Sequence, residues 1–108
     1  MRKAKVLYKG QEAGILKQYD DASFAFCYRD NWLENSGKPC ISLTLPKTKR
    51  KFRAKYLFPF FFNMLPEGSN KQEVCKQNKI DSKDYFGLLL TTAKNDNIGA
   101  VSVVKIEQ

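Results

Sequence analysis

The chain contains no histidine, and its three cysteines are widely spaced. Histidine is the usual general base near neutral pH and the common activator of serine and cysteine nucleophiles. A zinc site needs about four nitrogen or sulfur ligands, whereas Cys27, Cys40 and Cys75 offer three thiolates and no C-x-x-C pair. We therefore expect no catalytic residues, no metal and no cofactor, and we interpret the cysteines as reduced thiols packed as small apolar groups.

Phosphate-binding glycine motifs and long apolar runs are also missing. Neither the P-loop pattern nor G-x-G-x-x-G occurs. The richest apolar stretch, residues 56–65, is interrupted by Pro59 and Asn63, and it is far shorter than the ~20 residues that span a bilayer. Behind the basic N-terminus, the apolar segment Val6-Leu7-Tyr8 is too short for a signal peptide. These absences predict a cytoplasmic protein with no membrane contact.

Aromatic residues and positive charge are abundant. Eight Phe, five Tyr and one Trp in 108 residues exclude a disordered chain and are enough, with 43% apolar residues, for one core. We expect a single domain over residues 1–108. The 19 Lys and Arg against 11 Asp and Glu give a net charge of +8, which attracts polyanions or acidic protein surfaces without choosing between them.

Hydrophobic periodicity places strands in the first half of the chain and helices in the second. We predict strands over residues 5–8, 14–17, 22–28, 41–45 and 98–106, and helices over residues 55–65, 69–79 and from a cap at Asp81 onward. This order indicates an α+β domain: a small antiparallel or mixed β-sheet, with an N-terminal hairpin, packed with about three helices. The C-terminal strand returns to the sheet.

Basic residues occupy every second position between residues 47 and 55. An extended chain would point them to one side, where they would meet acidic residues of a partner or phosphates of DNA. An edge strand whose lysines prevent aggregation would show the same pattern. The residues of this stripe are Lys47, Lys49, Lys51, Arg53 and Lys55.

The aromatic side chains provide the candidate partner-binding residues. Four Phe within residues 58–62 cannot all point inward from one helix, so we expect at least one, with Phe58 and Phe62 as candidates, to reach the surface or a partner. Trp32 lies in a polar segment, where it would either anchor a partner or fold onto its own core. Glu67 would either contact a partner or cap the following helix.

Five segments in order resemble the N-terminal subdomain of HipA-type toxin kinases. The resemblance covers nearly the whole chain, and Phe61-Phe62-Asn63-Met64-Leu65-Pro66-Glu67-Gly68 is its most specific part. The segments are Trp32-Leu33, residues 39–46 (PCISLTLP), residues 58–68 (FPFFFNMLPEG), residues 84–89 (DYFGLL) and residues 99–103 (GAVSV).

The resemblance implies a binding role. In the family this subdomain leads into a kinase body that carries the ATP loop and the catalytic Asp, and none of those residues occurs here. A free-standing copy is similar to the small component of three-part HipBST toxin–antitoxin systems. That similarity implies an antitoxin that binds and restrains a HipA-like Ser/Thr kinase toxin without catalysis of its own. It also implies a helix-turn-helix DNA-binding protein in the same complex, and hence indirect DNA contact.

Two alternatives remain open at this point. The charge and the aromatic content also fit a basic nucleic-acid-binding module, although the aromatic residues follow core-like periods and do not neighbour the basic stripe. The chain is alternatively an N-terminal fragment of a full-length HipA-type kinase.

Overall fold

The computed structural model describes residues 1–65, 68–92 and 100–106, without the side chains of residues 68, 69 and 92. In this part of the chain, the fold is a five-stranded antiparallel sheet with four helices. The strands are β1 (Arg2–Tyr8), β2 (Gln11–Gln18), β3 (Phe24–Tyr28), β4 (Lys51–Ala54) and β5 (Val101–Lys105). The helices are α1 (Asp30–Glu34), α2 (Pro59–Phe62), α3 (Gly68–Asn78) and α4 (Tyr85–Thr92). The strand order is β4-β3-β2-β1-β5. The predicted α+β class and the returning C-terminal strand are confirmed.

Strand alternation separates the sheet into an inner face and an outer face, because successive side chains of a strand point to opposite sides. The inner face carries the core and is covered by helices and loops. Its strand residues in the core are Ala4, Val6, Ala13, Leu16, Phe24, Phe26, Tyr28, Val101 and Val103. The residues that cover them are Trp32, Ile41, Leu45, Leu57, Phe58, Phe61, Met64, Phe86 and Leu89.

Gly14 marks the point where the hairpin must accept an aromatic ring. It pairs with Val6 on one side and Tyr28 on the other, next to a register shift between Val6 and Leu7. A Cβ atom at this position would lie 2.7 Å from Cζ of Phe26 and 2.5 Å from the carbonyl oxygen of Cys27. Only glycine therefore lets the Phe26 ring pack directly over the strand.

The strand predicted over residues 41–45 is wrong, because this segment turns. Ile41 and Leu45 are buried, whereas Leu43 is 92% exposed, and an extended chain would place all three on one face. The Leu45 N–H donates to the Ser42 carbonyl (3.0 Å), which closes a four-residue turn. The alternating apolar pattern thus reflects two core contacts one turn apart.

Two side chains attach this turning segment to the core. The Tyr28 hydroxyl donates to the Leu45 carbonyl and accepts from the Ile41 N–H (3.1 Å). The indole N–H of Trp32, on α1, donates to the Pro39 carbonyl (2.9 Å). Burial raises the pKa of Tyr28 to about 12, so the hydroxyl keeps its proton under ordinary conditions.

The helices also differ from prediction in detail. Residues 30–34 form α1, where no helix was predicted, and α2 covers only Pro59–Phe62 of the predicted 55–65. α3 agrees with its prediction to within about one residue. α4 begins at Tyr85, and its cap is Asp84 rather than Asp81, since the Asp84 carboxylate accepts from the Gly87 N–H (3.1 Å).

Asp84 also joins the start of β1 to the start of α4. The Arg2 guanidinium donates two hydrogen bonds to its carboxylate (2.5 and 3.2 Å) and lies 5.0 Å from the centre of the Phe86 ring. The hydrogen bond from Arg2 holds the pKa of Asp84 below its usual value. A Cβ atom at Gly87 would lie 2.4 Å from Asp84 Oδ2, so glycine leaves room for this carboxylate.

Replacing Tyr28 with Phe should destabilise the fold. The change leaves the Leu45 carbonyl and the Ile41 N–H without their partner in a buried position, which typically costs about 1–3 kcal/mol. Urea unfolding of Tyr28→Phe measures the loss. Tyr56→Phe, which removes a hydroxyl from an exposed tyrosine, is the matched control and should unfold like wild type. Equal stability of the two variants would contradict a stabilising role for the hydrogen bonds of the Tyr28 hydroxyl.

Replacing Asp84 with Asn should give a pH-dependent loss of stability. Asn still caps α4 but cannot form the ion pair with Arg2. Because the folded pKa of Asp84 lies below the unfolded value of about 3.9, its charge stabilises the fold above that pH and ceases to do so as the pH falls through the folded pKa.

The unfolding free energy of Asp84→Asn should therefore lie below that of wild type at about pH 7, and the gap should narrow as the pH falls below the unfolded value of about 3.9. Asp30→Asn, which removes a more exposed ion pair with Arg50, should show a smaller difference. A gap between wild type and Asp84→Asn that stays constant with pH would contradict the proposed role of the charge.

Candidate functional site

Surface features of the domain are the candidates for function. Within residues 1–65, 68–92 and 100–106, no three His, Cys, Asp or Glu side chains come together as a metal site would require. Cys27, Cys40 and Cys75 are free and only half-buried, so the prediction that they pack in the interior holds in part. In this same part of the chain, no helix has the length and apolar character needed to cross a membrane.

An aromatic cleft opens between the end of β4 and the helices, and its volume is about 520 Å³. Tyr56 is 74% exposed and Phe62 is 48% exposed, which is unusual for side chains of this size. The residues that define this aromatic cleft are Phe24, Lys55, Tyr56, Leu57, Phe62, Lys83 and Tyr85, with Gln18, Asp21 and Ala22 at its margin.

The short helix α2 explains why Phe62 faces outward. Pro59 occupies its first position, where the missing N–H is not needed, and the helix lasts barely one turn. Phe61 is fully buried and Phe58 nearly so, while Phe62 projects from the other side of the turn. One of the four neighbouring Phe residues thus reaches the surface, as the crowding within residues 58–62 predicts.

The cleft has a rigid wall and a mostly positive rim. The Phe62 ring packs edge-on against Tyr85 with centroids 5.4 Å apart, and Lys71 Nζ lies 5.4 Å from the centre of the Tyr85 ring. Lys55 and Lys83 complete the rim. Asp21 is the opposing charge, and hydrogen bonds from Ser23 lower its pKa, so it is ionised at neutral pH. The cleft suits an apolar side chain flanked by carboxylates.

The other aromatic candidates are core residues. Trp32 is only 3% exposed, and its ring packs against Tyr8 with centroids 5.7 Å apart. Phe58 is buried against Phe61. Side chains placed in this way have no free ring face for a partner, so we assign Trp32 and Phe58 to the core. Glu67 lies outside the described residues.

The basic stripe is divided by the fold. Strand β4 covers only Lys51–Ala54 of it, and the chain turns before the strand, in the segment that holds Lys47 and Lys49. The prediction that all five side chains share one side is therefore wrong. Lys47 donates to the carbonyls of Asn35 and Lys38 (2.6 and 2.7 Å). Lys49 lies over Phe52 and Lys55 lines the aromatic cleft. The part of the stripe in β4 does lie at the edge of the sheet, as the edge-strand alternative expects.

Positive charge is instead collected on the outer sheet face, which sequence reasoning missed. The register aligns Lys3 with Lys17, and Ala25 with both Lys17 and Arg53. We call this set the outer cationic face, and its members are Lys3, Lys5, Lys17, Lys51 and Arg53. The alternation of Lys3 and Lys5 in the first strand was the available signal, but only the pairing of strands places it beside Lys17.

Comparisons with known proteins agree with this architecture. A family model described as the HipA N-terminal domain matches residues 4–104. The N-terminal domain of HipA toxin, a solved structure, superposes with a TM-score of 0.72 at 29% identity, covering 100% of this chain and 95% of that one.

Among curated proteins, an uncharacterized protein of Haemophilus influenzae is 32% identical over 108 residues, which are 100% of this chain and 96% of that protein. A protein of Sinorhizobium fredii named "Putative kinase Y4mE" is 26% identical over 108 residues, which are 26% of its length. The match over residues 4–104 and the shared fold show that this chain belongs to the HipA N-terminal domain family.

Proposed function

We propose that this chain is an antitoxin that binds a HipA-like Ser/Thr kinase toxin and restrains it, without catalysis of its own. The observation that carries the proposal is the exposure of Phe62 and Tyr56 at one cleft in a domain of the HipA N-terminal family. The family's domain is distinct from a catalytic kinase body. One relative is similar in size to this chain, whereas another, named as a putative kinase, is much longer.

Exposed aromatic rings at a cleft favour protein binding on energetic grounds. A large aromatic side chain carries about 150–250 Å² of surface, and burying apolar surface contributes roughly 25 cal/mol per Å². Covering the open parts of Phe62 and Tyr56 would therefore contribute a few kcal/mol to an interface. Such a contribution is typical of interface hot spots, which are few and often aromatic.

The cleft is also preorganised for binding. Phe62 follows the buried Phe61 on a helix that packs near α4, and its ring contacts Tyr85, which belongs to α4. Little side-chain freedom remains to be lost when a partner binds, so more of the contact energy appears as affinity. We expect the surrounding core to change little on binding, as is common in preorganised complexes.

Restraint by a domain of this kind follows from occupancy. A binding domain lowers kinase activity only while it is bound, so the effect should require at least one copy of the chain per kinase. We further propose that a helix-turn-helix DNA-binding protein joins the same complex, so that contact with operator DNA is indirect.

Replacing Phe62 with Ala should weaken binding to a HipA-like kinase from the same genome by roughly tenfold or more, the range of an interface hot spot. Leu43→Ala is the matched control, because Leu43 is also an exposed apolar residue but lies in the turning segment outside the cleft. Isothermal titration calorimetry with the purified kinase measures both affinities, and thermal melting checks that each variant is folded.

Co-expression tests the function in cells. The wild-type chain should restore growth to cells that express the kinase and should co-purify with it, whereas Phe62→Ala should do both less well. Failure of the wild-type chain to rescue growth and to co-purify would remove the proposal.

A further inference from the structure

The outer sheet face holds positive charges close together. Arg53 is offset by the nearby carboxylate of Asp21, whereas the lysines are not offset among the described residues. Lys3 and Lys17 are directly opposed across an antiparallel pair, where like charges are destabilising. Among the described residues, no carboxylate forms an ion pair with Lys3, Lys5, Lys17 or Lys51. Glu12, the one carboxylate on this face in the described strands, is already paired with Arg29 at 3.5 Å.

The centre of the same face is apolar and is not used by the core. Leu7, Ile15, Cys27 and Val104 point outward and are only half-buried, and none of them belongs to the core cluster or packs against it. The helix residues that belong to the core cluster, Trp32, Phe61, Phe86 and Leu89, lie against the other face of the sheet. An apolar centre with a charged margin has the composition of a protein-binding surface.

A shallow depression extends this face beyond the ends of its strands. It has a volume of about 530 Å³ and is lined by Ile15, Lys17, Cys27, Arg29 and Arg50, among others. Asp30 is the acidic residue of its lining, and it pairs with Arg50 at 3.3 Å. The depression therefore adds concave shape at the edge of the outer cationic face, and its two arginines are each paired with a carboxylate.

The outer cationic face and the aromatic cleft meet at the β4 edge. Lys51 and Arg53 lie on the outer face, and Lys55 and Tyr56, which follow them directly, line the cleft. Three strand spacings separate β1 from β4, or roughly 14 Å. An ordinary interface covers about 800 Å² per partner, which is enough to span both surfaces around this edge.

We infer that the outer cationic face is a second docking surface for the kinase, and that it receives a part of the kinase surface where carboxylates surround an apolar centre. The inference rests on the proposed function and identifies which further part of the chain makes contact. Carboxylates of the partner would neutralise the opposed lysines. The repulsion that destabilises the free chain would then be replaced by attraction that stabilises the complex.

Nucleic acid fits this face less well. The residues that point outward from the described strands include no aromatic side chain, and single strands bind to aromatic stacking platforms in a basic groove. A duplex needs only phosphate contacts, but it would leave the apolar centre against a polar backbone. An acidic protein surface matches both the charge and the apolar centre.

The double variant Lys3→Gln and Lys17→Gln tests the inference. Its affinity for the kinase should fall roughly tenfold, and the loss should shrink at high salt because the lost attraction is screened. Its melting temperature should equal or exceed that of wild type by up to about 5 °C, since the opposed charges are gone. The control is Lys76→Gln with Lys79→Gln, which makes the same change in net charge at the exposed end of α3.

Each result has a defined meaning. A kinase affinity that the double variant and Lys51→Gln leave unchanged overturns this inference while the proposed function stands. Failure of wild type to bind the kinase overturns both. Fluorescence anisotropy with a labelled DNA duplex at ~0.15 M salt gives the third measurement. If duplex binding is lost in the double variant while kinase affinity is unchanged, the face serves nucleic acid and the inference is wrong.

Discussion

The antiparallel register of β1, β2 and β3 is the constraint on which the rest of this structure depends. It stacks Val6, Gly14 and Tyr28 on the inner face and aligns Lys5, Ile15 and Cys27 on the outer face. A slip of one residue would exchange the two faces, placing lysines in the core and aromatic rings in solvent. The close fit of Phe26 over Gly14 opposes such a slip, because only that position can accept the ring.

From this register follows a division of roles between the two faces. The inner face uses aromatic side chains both to fill the core and to hold irregular segments, as Tyr28 and Trp32 do by bonding to backbone carbonyls. A domain of this size has limited apolar surface to bury, so a hydrogen-bonded tether to a turning segment adds useful stability. The outer face carries charged side chains instead, and α1 reaches its margin at Asp30 and Asn31.

A domain built in this way is suited to completing a surface on another protein. Its exposed features adjoin at β4, an edge strand that carries Lys51 and Arg53 on one side and leads to Lys55 and Tyr56 at the cleft. Family membership is the reason for proposing a HipA-like kinase as the partner, since the matching structure is the N-terminal domain of HipA toxin. Sheet edges are ordinarily protected by charge, and under the proposed function the same positive charges would also favour an acidic partner.

The amino-acid sequence by itself determined the class of fold, the family, the returning strand and the presence of one surface Phe within residues 58–62, because these depend on periodicity, crowding and motif order. It misplaced the cap of α4 and predicted a strand at residues 41–45, since an alternating pattern also arises when Ile41 and Leu45 are buried one turn apart. Only the tertiary structure decided that Trp32 is internal and that Lys3 opposes Lys17. Those facts depend on strand pairing between distant residues, which local patterns do not specify.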